Sequence, residues 1–143
     1  MGVWGPRTFD SDIACDWLED LWDSDAIAFF DHCLDLTDHT SESGRVNQLG
    51  MLACVGVVCT AEMLRGLLFG AREGLPDSAH RWLEENQNLD VLVQSLVPDT
   101  IEALNRVLAS ESEMYLRWDD ADDDIETWRL QIESLKQELR LRV

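Results

Sequence analysis

The chain has 143 residues, with 29 Asp+Glu against 11 Lys+Arg and a formal charge of −18. That size fits one domain, 1–143, and 45 % hydrophobic residues with six tryptophans supply a core, which argues against disorder. No net positive field exists to displace counterions from nucleic acid or to dock on an anionic membrane leaflet, so neither is expected as a partner.

Residues 1–12 lack the basic and apolar regions of a secretory signal, and Pro6 stands where a myristoylation motif wants Ser or Thr. Gly2 and Gly5 flank Trp4 and allow a tight turn that lays the indole on the body as a latch. Phe9 suits a hydrophobic staple against Ala14. Trp4 and Arg7 would face a partner if the same turn is a binding feature instead.

The spacing of Ile13, Ala14, Trp17, Leu18, Leu21 and Trp22 predicts a helix over 12–23, capped by Asp10 or Ser11. Its opposite arc is acidic: Asp12, Asp16, Glu19, Asp20 and Asp23. Ser24 is the expected cap of a second helix over 25–36, burying Ala26, Ile27, Phe30, Cys33 and Leu34 with Asp31, Asp35 and Asp38 outside. Residues 37–44 read as a loop.

A long helix over about 45–71 is apolar on nearly all sides, which places it at the centre of a bundle. Its small residues Gly50, Ala53, Gly56 and Ala61 are expected to admit close neighbours. Its uncharged stretch, 49–61, is shorter than the roughly 20 residues that span a bilayer. A turn is expected over 70–74, then a short helix over 76–85 anchored by Trp82 and Leu83. Residues 86–97 fit an irregular helix or a buried extended stretch equally, because periodicity alone does not decide. Pro98 and Asp99 restart a helix burying Ile101, Leu104, Val107 and Leu108.

Ser110 and Glu113 have capping-box spacing and open a turn carrying Met114, Leu116 and Trp118. The last helix, about 122–142, carries Ile125, Trp128, Ile132, Leu135 and Leu139 as an apolar seam. The seam suits packing onto the bundle, with a dimer through the last helix as the alternative. The expected fold is all-α: one compact bundle of about six to seven helices around the helix at 45–71.

Both ends of the chain resemble a known family. Met1-Gly2-Val3-Trp4-Gly5, then Phe9-Asp10-Ser11-Asp12 and Asp16-Trp17-Leu18, are similar to the MGxWGxGxF opening of the bacterial domain-of-unknown-function family 4259. Ser112-Glu113, Trp118, Trp128 and the Leu-rich basic tail resemble that family's close. The chain departs from the pattern at Arg7, Ser11 and Ile13. The resemblance implies a compact domain of a bacterial cytoplasm and carries no catalytic residues with it.

Chemistry-bearing motifs are sparse. There is no GxGxxG, P-loop or GxSxG pattern, and His32, His39 and His80 lack a nucleophile in motif context. Cys15, Cys33, Cys54 and Cys59 contain no CxxC pair and read as free thiols of a reducing compartment, acting as small core residues. Cofactors are not expected. Asp16 with Glu19 and Asp35 with Asp38 have the spacing of helical magnesium-binding pairs, although any solvated acidic face would show it. The run 119–124 lacks the glycine and terminal Glu of a calcium loop.

The charge is concentrated. Residues 1–42 hold eleven acids and only Arg7 as a cation, a net −10, so 101 residues share the other −8. Such focusing speeds encounter with a basic protein. The expectation is a non-enzymatic acidic protein-binding module, inhibitor- or immunity-like, contacting its partner through Asp12, Asp16, Asp20, Asp31 and Asp35. A metal-dependent hydrolase of nucleotides using Asp16, Glu19, Asp35 and Asp38 is one alternative; a dimeric structural subunit is the other.

Overall fold

A computed structural model describes residues 12–39, 51–70, 75–108 and 125–141; the side chains of 12–13, 36–39, 51–53, 125 and 127–128 lie outside the described set. Six helices of nine residues or more form its body: α1 (Asp12–Trp22), α2 (Ala26–His39), α3 (Met51–Phe69), α4 (Asp77–Glu85), α6 (Val97–Leu108) and α7 (Ile125–Arg140). The short α5 (Asp90–Val93) lies between two 3₁₀ turns, and no strand occurs among the described residues. The all-α expectation is met.

The centre is α3. Every described side chain from Cys54 to Leu68 is buried except the half-buried Arg65. Such a helix cannot face water on any side and needs neighbours all round. It packs against each of the other six helices. Around it the contacts run α4 to α1, α1 to α2, α2 to α6, and α6 to α7, so α2 and α6 are adjacent.

The boundaries correct several expectations. Ser24 does not cap α2 but donates its hydroxyl back to the Asp20 carbonyl at 2.6 Å, closing α1. That bond adds to the one the same carbonyl accepts from the Asp23 N–H at 3.2 Å in the last turn. The second helix continues to His39, so Thr37, Asp38 and His39 are helical rather than loop. The central helix stops at Phe69, before the expected 71, because Gly70 takes φ +98°, a left-handed conformation open to glycine. Its N–H bonds the Gly66 carbonyl at 3.0 Å.

Residues 86–97 are an irregular helix. The Asn86 and Gln87 amides donate to the Trp82 and Leu83 carbonyls at 2.8 and 2.9 Å, ending α4 with side-chain partners. Val93, Leu96 and Val97 are buried beyond it, whereas Val91 and Leu92 face out. The helix expected from Pro98 begins one residue earlier, at Val97.

Ile132, Leu135 and Leu139 of the last helix are fully buried within this chain, so the part of the seam they form is core. The helix is tied to α3 by Arg65, whose Nε donates to Glu138 Oε2 at 2.9 Å while Nη1 donates to the Gly70 carbonyl at 3.0 Å. The N-terminal latch, the caps at Asp10 and Ser11, residues 40–50 and 71–74, the capping box, Met114, Leu116, Trp118 and the run 119–124 lie outside the described residues. So do the side chains of Ile125 and Trp128.

Small residues matter unevenly. A Cβ built on Gly56 meets only ordinary contacts, the nearest being Cys33 at 3.7 Å. On Gly66 it would meet Leu83 Cδ1 at 2.7 Å, and Leu83 is itself buried. Gly56→Ala therefore gains helix propensity, worth up to about 1 kcal/mol of stability. Gly66→Ala carries an overpacking cost of about 1–3 kcal/mol against that gain. Urea unfolding midpoints are expected to rise for the first and fall for the second. Gly50 lies outside the described residues, as does the side chain of Ala53.

Candidate functional site

The adjacency of α2 and α6 creates an acidic cleft. Asp31, Leu34 and Asp35 on one wall face Asp99, Glu102 and Arg106 on the other, around a volume of about 100 Å³. On α2, Asp31 and Asp35 are one turn apart, with buried Leu34 at the base of the same face. On α6 the spacing 99, 102, 106 puts three charges on one face, while Ile101, Leu104 and Val107 turn into the core.

Four carboxylates meet one guanidinium there. Arg106 Nη2 lies 3.5 Å from Glu102 Oε1, an exposed i,i+4 pair worth a few tenths of a kcal/mol. The remaining excess of negative charge faces solvent. Asp31, Asp35, Asp99 and Glu102 are all exposed, so the cleft presents an acidic surface to solvent. Among the described residues the lining side chains are carboxylates, one leucine and one arginine.

The expected site residues fall into separate groups. Asp31 and Asp35 enter the cleft with Asp99 and Glu102. Asp16, Glu19 and Asp20 are exposed on α1 and do not line it. Asp12 and Asp38 are helical but their side chains lie outside the described set, and Trp4 and Arg7 lie outside it entirely. Among the described residues no three His, Cys, Asp or Glu side chains gather in a metal-holding arrangement. Asp99, Glu102 and Arg106 were not anticipated as site residues. Their i, i+3, i+7 spacing was visible, but the facing wall depends on α2 packing beside α6.

The thiols are separate from this cleft. Cys33, Cys54 and Cys59 are buried without a disulfide, as expected, whereas Cys15 is exposed on α1 rather than part of the core. Trp17 donates its indole N–H to Cys33 Sγ at 3.3 Å. Burial pushes the Cys33 thiol up, with bonds from Trp17 and Thr60 partly opposing it. Burial also pushes Cys59 well up, aided by repulsion from Cys33, Glu62 and Cys15. Both sulfurs are poor nucleophiles at neutral pH.

A raised folded pKa leaves stability intact below the unfolded thiol value and erodes it above. The unfolded chain then sheds protons that the folded chain retains. Unfolding free energy is expected to fall above about pH 8.5 by up to ~1.4 kcal/mol per pH unit for each of the two thiols. Cys59→Ala should roughly halve that slope in urea titrations between about pH 8 and 10, beside its own packing cost.

A family model described as Domain of unknown function (DUF4259) matches residues 2–131. No curated protein and no solved structure matches the chain. No helix among the described residues is long and apolar enough to cross a membrane.

Proposed function

We propose that this chain, which belongs to the DUF4259 family, is a non-enzymatic acidic module of a bacterial cytoplasm that binds a basic protein as an inhibitor or immunity-like partner. The observation that carries the reading is the cleft between α2 and α6, where Asp31, Asp35, Asp99 and Glu102 gather beside Arg106. Exposed carboxylates on two rigid helices form a fixed array of acceptors for Lys or Arg side chains. The whole chain adds a field of net charge −18 that steers a cationic partner toward it. Thiols without a disulfide agree with a reducing compartment.

Affinity capture from a bacterial lysate at about 50 and 300 mM salt tests the reading. The tagged chain is expected to enrich a protein of high pI at the lower salt and to release most of it at the higher. Recovery of no basic protein at either salt would overturn the reading.

A further inference from the structure

The last helix differs in charge from the two N-terminal helices. Within α1 there are four acids and no Lys or Arg, and within α2 three acids and none. Within α7, Glu126, Glu133 and Glu138 balance Arg129, Lys136 and Arg140, so its net charge is zero. The balance is local as well: Glu126 pairs with Arg129 at 3.5 Å, Glu133 with Lys136 at 3.0 Å, and Glu138 with Arg65 at 2.9 Å.

Opposite the buried Ile132, Leu135 and Leu139 runs an outward strip made of Leu130, Ser134, Gln137 and Leu141. These four residues are spaced 4, 3 and 4 apart, on or just past one face of the helix, and none is charged. Leu130 is 65 % exposed and Leu141 75 % exposed. Two large apolar side chains on a neutral strip form a surface on which a chain of charge −18 can approach its own copy without meeting a row of like charges.

We infer that this strip is the interface of a homodimer formed by two α7 helices packed antiparallel. The charge pattern supports that occupant. With the helices crossing near Ser134, Leu130 lies against Gln137 of the second copy, and the small serine lets the two axes approach. Glu126 then lies across from Arg140 of the second copy, and the two-fold axis repeats the pair. Glu133 lies close to its own copy across the axis, where its pairing with Lys136 tempers the repulsion. This dimer uses the outer face of the helix, leaving the core seam and the α2–α6 cleft untouched, so it stands independently of the proposed partner.

Sedimentation equilibrium of the full chain at about 50 and 500 mM salt tests it. The apparent mass is expected to rise with concentration toward twice 16.3 kDa. Association should strengthen at the higher salt, where self-repulsion is screened, which is the opposite of a carboxylate-driven interaction with a basic protein. Leu130→Lys is on the surface and lowers the net negative charge, yet it should weaken association at least about tenfold. Glu126→Arg should weaken it too, and adding Arg140→Glu in the same chain should restore it. A single species of 16.3 kDa at both salts, or a dimer indifferent to Leu130→Lys, overturns the inference. Failure of the double reversal to restore association overturns the antiparallel arrangement.

Discussion

Phe30→Ala is expected to lower the unfolding free energy by about 3–5 kcal/mol. Phe30 is fully buried in α2 and joins three helices through rings. It stacks on Trp17 of α1 with centroids 6.3 Å apart and meets Trp82 of α4 edge-on at 5.9 Å. Truncation removes the aromatic contacts and leaves a cavity walled by two indoles, which cannot collapse without moving two helices. A domain with a total stability of about 5–15 kcal/mol would be brought close to its limit. Phe29 is only half-buried, with its ring centroid 5.3 Å from that of Trp17, so Phe29→Ala should cost distinctly less. Urea unfolding followed by tryptophan fluorescence separates the two. Equal costs would contradict the role of Phe30 as the junction.

The second large effect acts on binding and stability in opposite directions. Replacing Asp31, Asp35 and Asp99 by Asn and Glu102 by Gln keeps the shape of the cleft and removes its four negative charges. The Arg106–Glu102 pair that is lost is exposed and weak. Relief of repulsion within the cleft and with the rest of a −18 chain outweighs it. The melting temperature should therefore rise by roughly 2–5 °C. Capture of a basic protein at low salt should fall by about 10- to 100-fold, since steering and direct acceptors are lost together. Higher stability with lost binding is the signature of a surface kept for recognition at some cost to the fold. A cleft that served only the fold would lose stability on the same changes.

Much of the fold could be read directly from residue spacing because burial imposes it. Trp17, Leu18 and Leu21 recur at helical steps, and all three are buried on α1. The central position of α3 follows from apolar residues on every side of it. The expectation weakened where a local signal had two uses. Ser24 has the side chain of an N-cap, yet its hydroxyl serves the preceding helix. In 86–97 the apolar residues are nearly continuous, so nothing in the pattern showed that Val91 and Leu92 face solvent while Val93 does not. Gly56 stood out as a close-approach residue, but Gly66 is the one with a side chain pressed against it.

The candidate site was legible by halves. Asp31 and Asp35 stood out as an acidic helix face, and both enter the cleft. Their opposite wall is some 70 residues away in sequence, and only the packing of α2 against α6 brings it there. Grouping α1 and α2 by their shared acidity placed Asp16 and Asp20 with them, although neither lines the cleft. The Arg65–Glu138 pair, 73 residues apart, was invisible for the same reason. Charge density along a chain marks acidic helices; which of them face one another is a property of the core beneath.

The central claim is that the α2–α6 cleft, rather than acidity in general, receives the partner. Its most direct test is the association rate of the captured basic protein, measured against ionic strength for three forms of the chain. These are the parent, the fourfold cleft variant, and Asp16→Asn/Asp20→Asn on α1. The parent should associate faster as salt falls, the α1 variant should follow it closely, and the cleft variant should be slow and nearly flat with salt. A cleft variant that tracks the parent while the α1 variant is slow would contradict the account.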